Sequence, residues 1–288
     1  MQVTSESAAL IDPIRGQLEH LLSDEAPTHR LQISVASEDV VIPQQVTEGF
    51  TSANYEALMD FHSASLIITS RNENTTLVLT QSARFQYDRP DLSRVVLQAA
   101  AGGNVFALHG GGISWGQEPG ILITAKGGSG KSTAVAAAVA AGAKTIGDDF
   151  ILGELVGQNF SLKGWSLFSS VRLEQTSPAR GLFGEGQYPE FEGKKIFNLE
   201  KQFPGSVSRE MMIGKLVLPC FSSKNFVEPV SKKEALLAIL PSSIGLSINK
   251  AAALKSISEM VAAIPSYRVG LTPDIHGNSE FLKRIALS

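Results

Sequence analysis

A strand that runs straight into a glycine-rich turn and then into an alanine-rich helix leaves few folds open. Residues 121–145 are written that way: "ILITAKGGSGKSTAVAAAVAAGAKT". The apolar, β-branched run before the turn is a buried strand, and the alanines after Lys131 favour a helix. Gly142 stands where a helix ends in a left-handed cap, and the chain then returns as a second strand. A strand, a helix and a returning strand imply an α/β protein.

The turn between strand and helix carries chemistry. Consecutive glycines let a backbone curl until its N–H groups point inward, and the following helix aims its N-terminus at the same place, so the loop is a nest for phosphate. Residues Ala125, Lys126, Gly127, Gly128, Ser129, Gly130, Lys131, Ser132 and Thr133 form this loop, and they match a P-loop except at Ala125. A P-loop ordinarily has its first glycine there, but alanine is tolerated if φ stays negative. Lys131 would reach the β- and γ-phosphates of ATP, Ser132 would ligate Mg²⁺, and Thr133 would support the turn.

Asp148 and Asp149 follow Lys131 by 17 and 18 positions. That is enough chain for a short helix and one returning strand, so the pair is expected beside the phosphate loop on the neighbouring strand. Two adjacent carboxylates there can divide the labour. One holds Mg²⁺, and the other accepts a proton from an attacking hydroxyl.

The rest of the chain frames this unit. Residues 1–98 read as a β-rich N-terminal part, a candidate for substrate docking, and 99–288 as the P-loop core. "LIDPIRGQLEHLL" and residues 92–101 have helical spacing, and "RNENTT" reads as a hairpin turn. "TSPARGLFGEGQYPEFEGKK" reads as a mobile loop, and "INKAAALKSISEMVAAI" as a helix capped by Asn249, with Leu254, Ile257, Met260 and Val261 facing the core. A formal charge of −3 gives no basic field for nucleic acid or an anionic membrane surface, so phosphate has to be held locally. One cysteine, Cys220, excludes an internal disulfide and a multi-cysteine metal site. With no run of eighteen apolar residues, the chain is expected to be soluble and cytoplasmic.

Residues 107–155, "ALHGGGISWGQEPGILITAKGGSGKSTAVAAAVAAGAKTIGDDFILGEL", resemble the catalytic core of the HPr serine kinase/phosphorylase family. They look most like its shorter kinases, including those associated with lasso-peptide biosynthesis, and the family's fold is related to ATP-dependent phosphoenolpyruvate carboxykinase. The shared pattern is a histidine-glycine pair (His109-Gly110), a strand, the P-loop, a helix ending at Gly142, and the acidic pair.

The resemblance implies ATP and Mg²⁺ as cofactors and a serine of a protein or peptide as acceptor. It implies Asp148 as general base, Asp149 as Mg²⁺ partner, and His109 near the transferring phosphate; the two aspartates can also be read in the reverse order. Arg172, in "SSVRLE", stands where the bifunctional enzymes carry a Glu-Ile-Arg-Gly segment. The segment itself and the arginine-rich C-terminal signature are absent, which takes away support for the reverse reaction. Lys194-Lys195 closes the long loop, and Lys195 is a candidate phosphate clamp. Arg180, Arg209, Arg268 and His276 read as surface or structural residues.

Three functions follow. The first is transfer of the γ-phosphoryl group of ATP to a serine of a protein or peptide. The second is phosphorylation of a small hydroxyl compound, and the third is a nucleotide-gated switch. Homo-oligomerisation is left open by the sequence.

Overall fold

A computed structural model of the chain describes the strands at 2–5, 30–35, 50–51, 55–60, 65–70 and 74–79. It also describes residues 105–116, 119–157, 161–166, 169–191, 193–247 and 250–288. The expected helices at 10–22 and 92–101 and the Asn249 cap lie outside the described residues. The chain divides into two compact units, Met1–Gly102 and Gly103–Ser288.

The first unit contains a six-stranded mixed sheet: β1 (Gln2–Ser5), β2 (Arg30–Val35), β3 (Phe50–Thr51), β4 (Tyr55–Asp60), β5 (Ser65–Ser70) and β6 (Asn74–Leu79), in the order β1-β2-β6-β5-β4-β3. The β1–β2 and β2–β6 pairs are parallel and the others antiparallel. β5 and β6 pair antiparallel, as the hairpin expected at "RNENTT" requires, and the connecting residues 71–73 lie outside the described residues.

The second unit is α/β, built on a nine-stranded mixed sheet. Its strands are β7 (Val105–Leu108), β8 (Gly110–Ser114), β9 (Gly120–Thr124), β10 (Lys144–Thr145), β11 (Ile151–Val156), β12 (Ser161–Ser166), β16 (Glu210–Phe221), β17 (Phe226–Pro229) and β18 (Ser266–Leu271). A small antiparallel sheet, β13 (Ser170–Glu174), β15 (Lys194–Asn198) and β14 (Glu190–Phe191), stands beside it. The helices are α1 (Lys131–Ala140), α2 (Leu199–Gln202), α3 (Lys232–Ser243), α4 (Lys250–Ala263) and α5 (Ile275–Leu287).

Strand β9 shows why the sheet is buried on both faces. Ile121 and Ile123 face one core with Val135, Val139, Leu282 and Ile285, while Leu122 faces the other with Leu216, Ile239, Ile257 and Met260. The all-around burial of α1 explains its alanines. Ala134, Ala136, Ala137 and Ala138 are enclosed along with Val135 and Val139, so larger side chains would not fit on any face. The helix ends at Gly142, φ 86°, in a Schellman cap: the Ala143 N–H donates to the Ala138 carbonyl and the Gly142 N–H to that of Val139.

Three expectations are corrected. The returning strand β10 is not β9's neighbour: β9 lies between β8 and β16, and β10 pairs with the far edge of β8. The 177–195 segment is no open loop. Pro178–Leu182 forms a 3₁₀ turn, Ala179 and Phe183 are buried, and Phe183 stacks on Phe197 with ring centroids 4.3 Å apart. Its glycines and charges hide three anchors, Ala179, Phe183 and Tyr188, that pack into the α1 core. Leu254 is 43% exposed, on the outer face of α4, whereas Ile257, Met260 and Val261 are buried as expected.

Candidate active site

The phosphate loop joins the carboxyl end of β9 to α1. Gly128 and Gly130 have φ of 77° and 90°, so both need the freedom of glycine. Gly127 is held neither by positive φ nor by close protein contact, and a Cβ there would meet no protein atom within 4 Å. Its missing side chain keeps the open side of the loop accessible, as close approach of a phosphate requires. Ala125 is absent from the positive-φ residues, which meets the condition for alanine at that place. No acidic residue occupies the first turn of α1, so its amino end is free to attract an anion. Lys131 Nζ folds back over the loop and donates to the carbonyls of Ala125 (2.8 Å) and Lys126 (3.2 Å). The Thr133 hydroxyl is hydrogen-bonded to that of Ser177 at 2.8 Å, tying the helix start to the 3₁₀ turn.

The acidic pair arrives by the turn between β10 and β11. The Thr145 hydroxyl donates to the Gly112 carbonyl at 2.7 Å and accepts from the Gly147 N–H at 3.0 Å, and Gly147 adopts φ 95°. Strand β8 lies between this turn and the phosphate loop, and its glycines make the approach possible. A Cβ on Gly111 would stand 2.4 Å from Val135 Cγ2 and 3.5 Å from Asp148 Oδ1. The "HGGG" cluster thus clears space for the acidic pair and α1 together.

The two aspartates end in different surroundings. Asp148 is 2% exposed, and neither carboxylate oxygen has a hydrogen-bond partner of normal geometry. The Ser132 hydroxyl lies beside it and, with Lys131, His109 and Arg172, favours its charged form; burial outweighs them and pushes its pKa up. Asp149 faces the cleft. At φ 76° it is the one non-glycine residue among those described with positive φ, a conformation that aspartate tolerates better than most residues. His109 Nε2 lies 2.9 Å from its Oδ1, and Arg172 pairs with its Oδ2.

Burial, and then the charge of Lys131, push the His109 pKa from 6.5 down to about 4, with Arg172 and Lys194 adding to the fall and Asp148 opposing it. At neutral pH the ring is therefore uncharged. A carboxylate only accepts, so Nε2 carries the ring proton and donates to Asp149. Lys131 also lies below its ordinary pKa, because burial disfavours its charge and Asp148 restores only part of it.

These residues line one cleft of about 510 Å³, together with Gly127, Gly128 and Gly130, Thr133, Glu174, Ser177, Lys194 and Phe221. Of the sequence candidates, His109, Lys131, Ser132, Asp149 and Arg172 come together there, with Asp148 just beneath. Lys195 does not. In β15 it pairs with buried Leu173, whereas Lys194 pairs with Glu174 and lines the cleft with it. Sequence reading also missed Phe221, Glu174 and Ser177. Only strand alternation within the small sheet separates Lys194 from Lys195, and that sheet is not legible before its strands are paired.

The buried, unpartnered oxygens of Asp148 beside the Ser132 hydroxyl are a hard oxygen donor set that fits Mg²⁺. Among the described residues no group of three or more His, Cys, Asp or Glu could hold a metal unaided.

No protein-family model matches the chain, and no curated protein matches it. Among solved structures it is similar to the HPr(Ser) kinase/phosphatase from Coxiella burnetii, with 14% identity and a TM-score of 0.33, over 62% of this chain and 92% of that one. No helix among the described residues is long and apolar enough to cross a membrane.

Proposed function

We propose that the chain is an ATP- and Mg²⁺-dependent kinase that transfers the γ-phosphoryl group to a serine hydroxyl of a protein or peptide. One observation carries the reading: adjacent aspartates at a phosphate loop are held in opposite environments. Asp148 is buried beneath the cleft beside the Ser132 hydroxyl, and Asp149 is clamped at the cleft surface by His109 and Arg172. Carboxylates set apart in this way serve different roles. A switch needs one metal carboxylate, whereas a transferase also needs a group to receive the acceptor's proton. Serine as acceptor follows from the resemblance of residues 107–155.

Asp148 and Ser132 would hold the nucleotide's Mg²⁺, which neutralises charge on the β- and γ-phosphates when bound. Asp149, reached from the cleft, would take the proton as the acceptor oxygen bonds to the γ-phosphorus. The bond from that phosphorus to the β–γ bridging oxygen breaks, and ADP leaves with its electron pair. This order reverses the roles that the resemblance implies for the pair, on the ground that a base must touch the acceptor. Neutral His109 orients the base through its Nε2–H. Lys131 exchanges two loop carbonyls for phosphate oxygens, and Arg172 and Lys194, which line the same cleft, add positive charge.

The test is incubation with Mg²⁺-ATP and either serine-bearing precursor peptides or a protein extract, read by mass spectrometry, with Lys131→Ala as control. Phosphoserine that appears with the parent and not with the variant supports the reading. Its absence with every acceptor, or equal yield from the variant, sinks it.

A further inference from the structure

Phe221 is the last residue of β16, the strand beside β9 and parallel to it, so it emerges at the same sheet edge as the phosphate loop. It is 74% exposed, the most exposed large apolar side chain among the described residues and the only aromatic one. Its ring edge lies 3.5 Å from where a Cβ on Gly130 would stand, at the amino end of α1. The ring shares the phosphate-loop cleft with Leu271, which it pairs with across β16 and β18, and with Pro273 and Ile275. An exposed aromatic ring at the rim of a phosphate nest, beside an apolar wall, offers a face that a planar apolar group would desolvate.

We propose that Phe221 is the stacking platform for the purine base of the bound nucleotide; this rests on the phosphate-loop reading above. Continuity supplies the occupant, because a nucleotide whose phosphates lie on the loop carries its base only a ribose away. The platform reads the plane of the base and not its edge. Asn278, the one asparagine lining the cleft, has its acceptor committed within the protein: its Oδ1 accepts from the Thr272 N–H at 3.0 Å and from Asn225 Nδ2 at 2.8 Å, while its Nδ2 donates to the Thr272 carbonyl at 2.7 Å. Stacking accepts any base, since every base presents a π-face.

The test is calorimetric titration of the full chain, with Mg²⁺ present, using ATP, GTP and inorganic triphosphate as probes. Phe221→Ala is expected to weaken ATP by about 5- to 150-fold and to leave inorganic triphosphate unchanged, and Phe221→Trp to restore ATP binding. ATP and GTP are expected to bind the parent within about tenfold of each other. Equal ATP affinity in parent and Phe221→Ala overturns the proposal, as does an equal loss for inorganic triphosphate, which would mean that Phe221 acts through the loop. A purine preference beyond about tenfold also overturns it, since the base edge would then be read. If the parent binds neither ATP nor inorganic triphosphate, the phosphate-loop reading fails and the platform with it.

Discussion

His109 Nε2 donates to Asp149 Oδ1 at 2.9 Å, joining the bend between β7 and β8 to the acidic turn that follows β10. The bond holds one carboxylate at the cleft while its neighbour Asp148 stays beneath the surface, 2% exposed. Asp149→Asn is expected to keep Mg²⁺-ATP affinity and to lower phosphoryl transfer by roughly 10²- to 10⁴-fold, the usual cost of losing a general base. Asp148→Asn is expected to weaken Mg²⁺-ATP binding itself. Titration beside an activity assay separates the two, and the opposite pattern would return the roles to the order implied by the family resemblance.

The neutral state of His109 has a consequence for stability. Its folded pKa of about 4 lies below the 6.5 of the unfolded chain, so between these values the unfolded state binds a proton that the folded state refuses. Stability fully present above pH 6.5 is lost as pH falls toward 4, on the order of 3 kcal/mol in total. Asp148 works in the opposite sense: with its pKa raised by burial, it costs stability as pH rises above 3.8. The His109 contribution is therefore read as a difference. Urea unfolding at pH 7 and pH 5 should show a larger loss on acidification in the parent than in His109→Gln, which keeps a donor to Asp149 and cannot titrate; equal losses would refute a buried neutral imidazole.

Gly111 is expected to reject a side chain because of Val135. A Cβ there would stand 2.4 Å from Val135 Cγ2, and a β-branched side chain on a buried helix has no free rotamer into which to retreat. Gly111→Ala should cost about 1–3 kcal/mol. In Gly111→Ala/Val135→Ala the loss should fall short of the sum of the single losses by about 1 kcal/mol, the signature of a shared contact. Additive losses in a thermal-unfolding cycle would show that the two positions do not meet.

The 3₁₀ turn at Pro178–Leu182 predicts a pattern of protease sensitivity. Buried Ala179 and Phe183 hold Arg180 in place, whereas Gly184–Gln187 is exposed. A glutamyl endopeptidase should cut after Glu185 in the native protein, and trypsin should spare Arg180. Early tryptic cleavage at Arg180 would mean that the turn opens readily. Phe183→Ala, which removes the stack on Phe197, should make that site sensitive.

The phosphate loop, its flanking strand and helix, the Gly142 cap and the acidic turn were all legible in residues 121–149, because each depends on interactions between residues close in sequence. Apolar periodicity, positive φ at glycine and helix capping are local physics, and a short stretch of chain decides them. The α/β class followed from the same signals.

What the tertiary structure decided were relations between distant residues. The order of strands placed β8 between the acidic turn and β9, and the "HGGG" run then appeared as clearance for Val135 and Asp148. Burial separated the two aspartates, although they are adjacent in sequence and chemically identical. Pairing of β13 with β15 turned Lys194 toward the cleft and Lys195 away from it, and packing of Ala179 and Phe183 gave structure to a glycine-rich stretch that reads as an open loop. A side chain's environment is set by groups that arrive from elsewhere in the chain, so the pKa shifts of His109, Lys131 and Asp148 and the exposure of Phe221 emerge only once the sheet has assembled and water has been excluded from its interior.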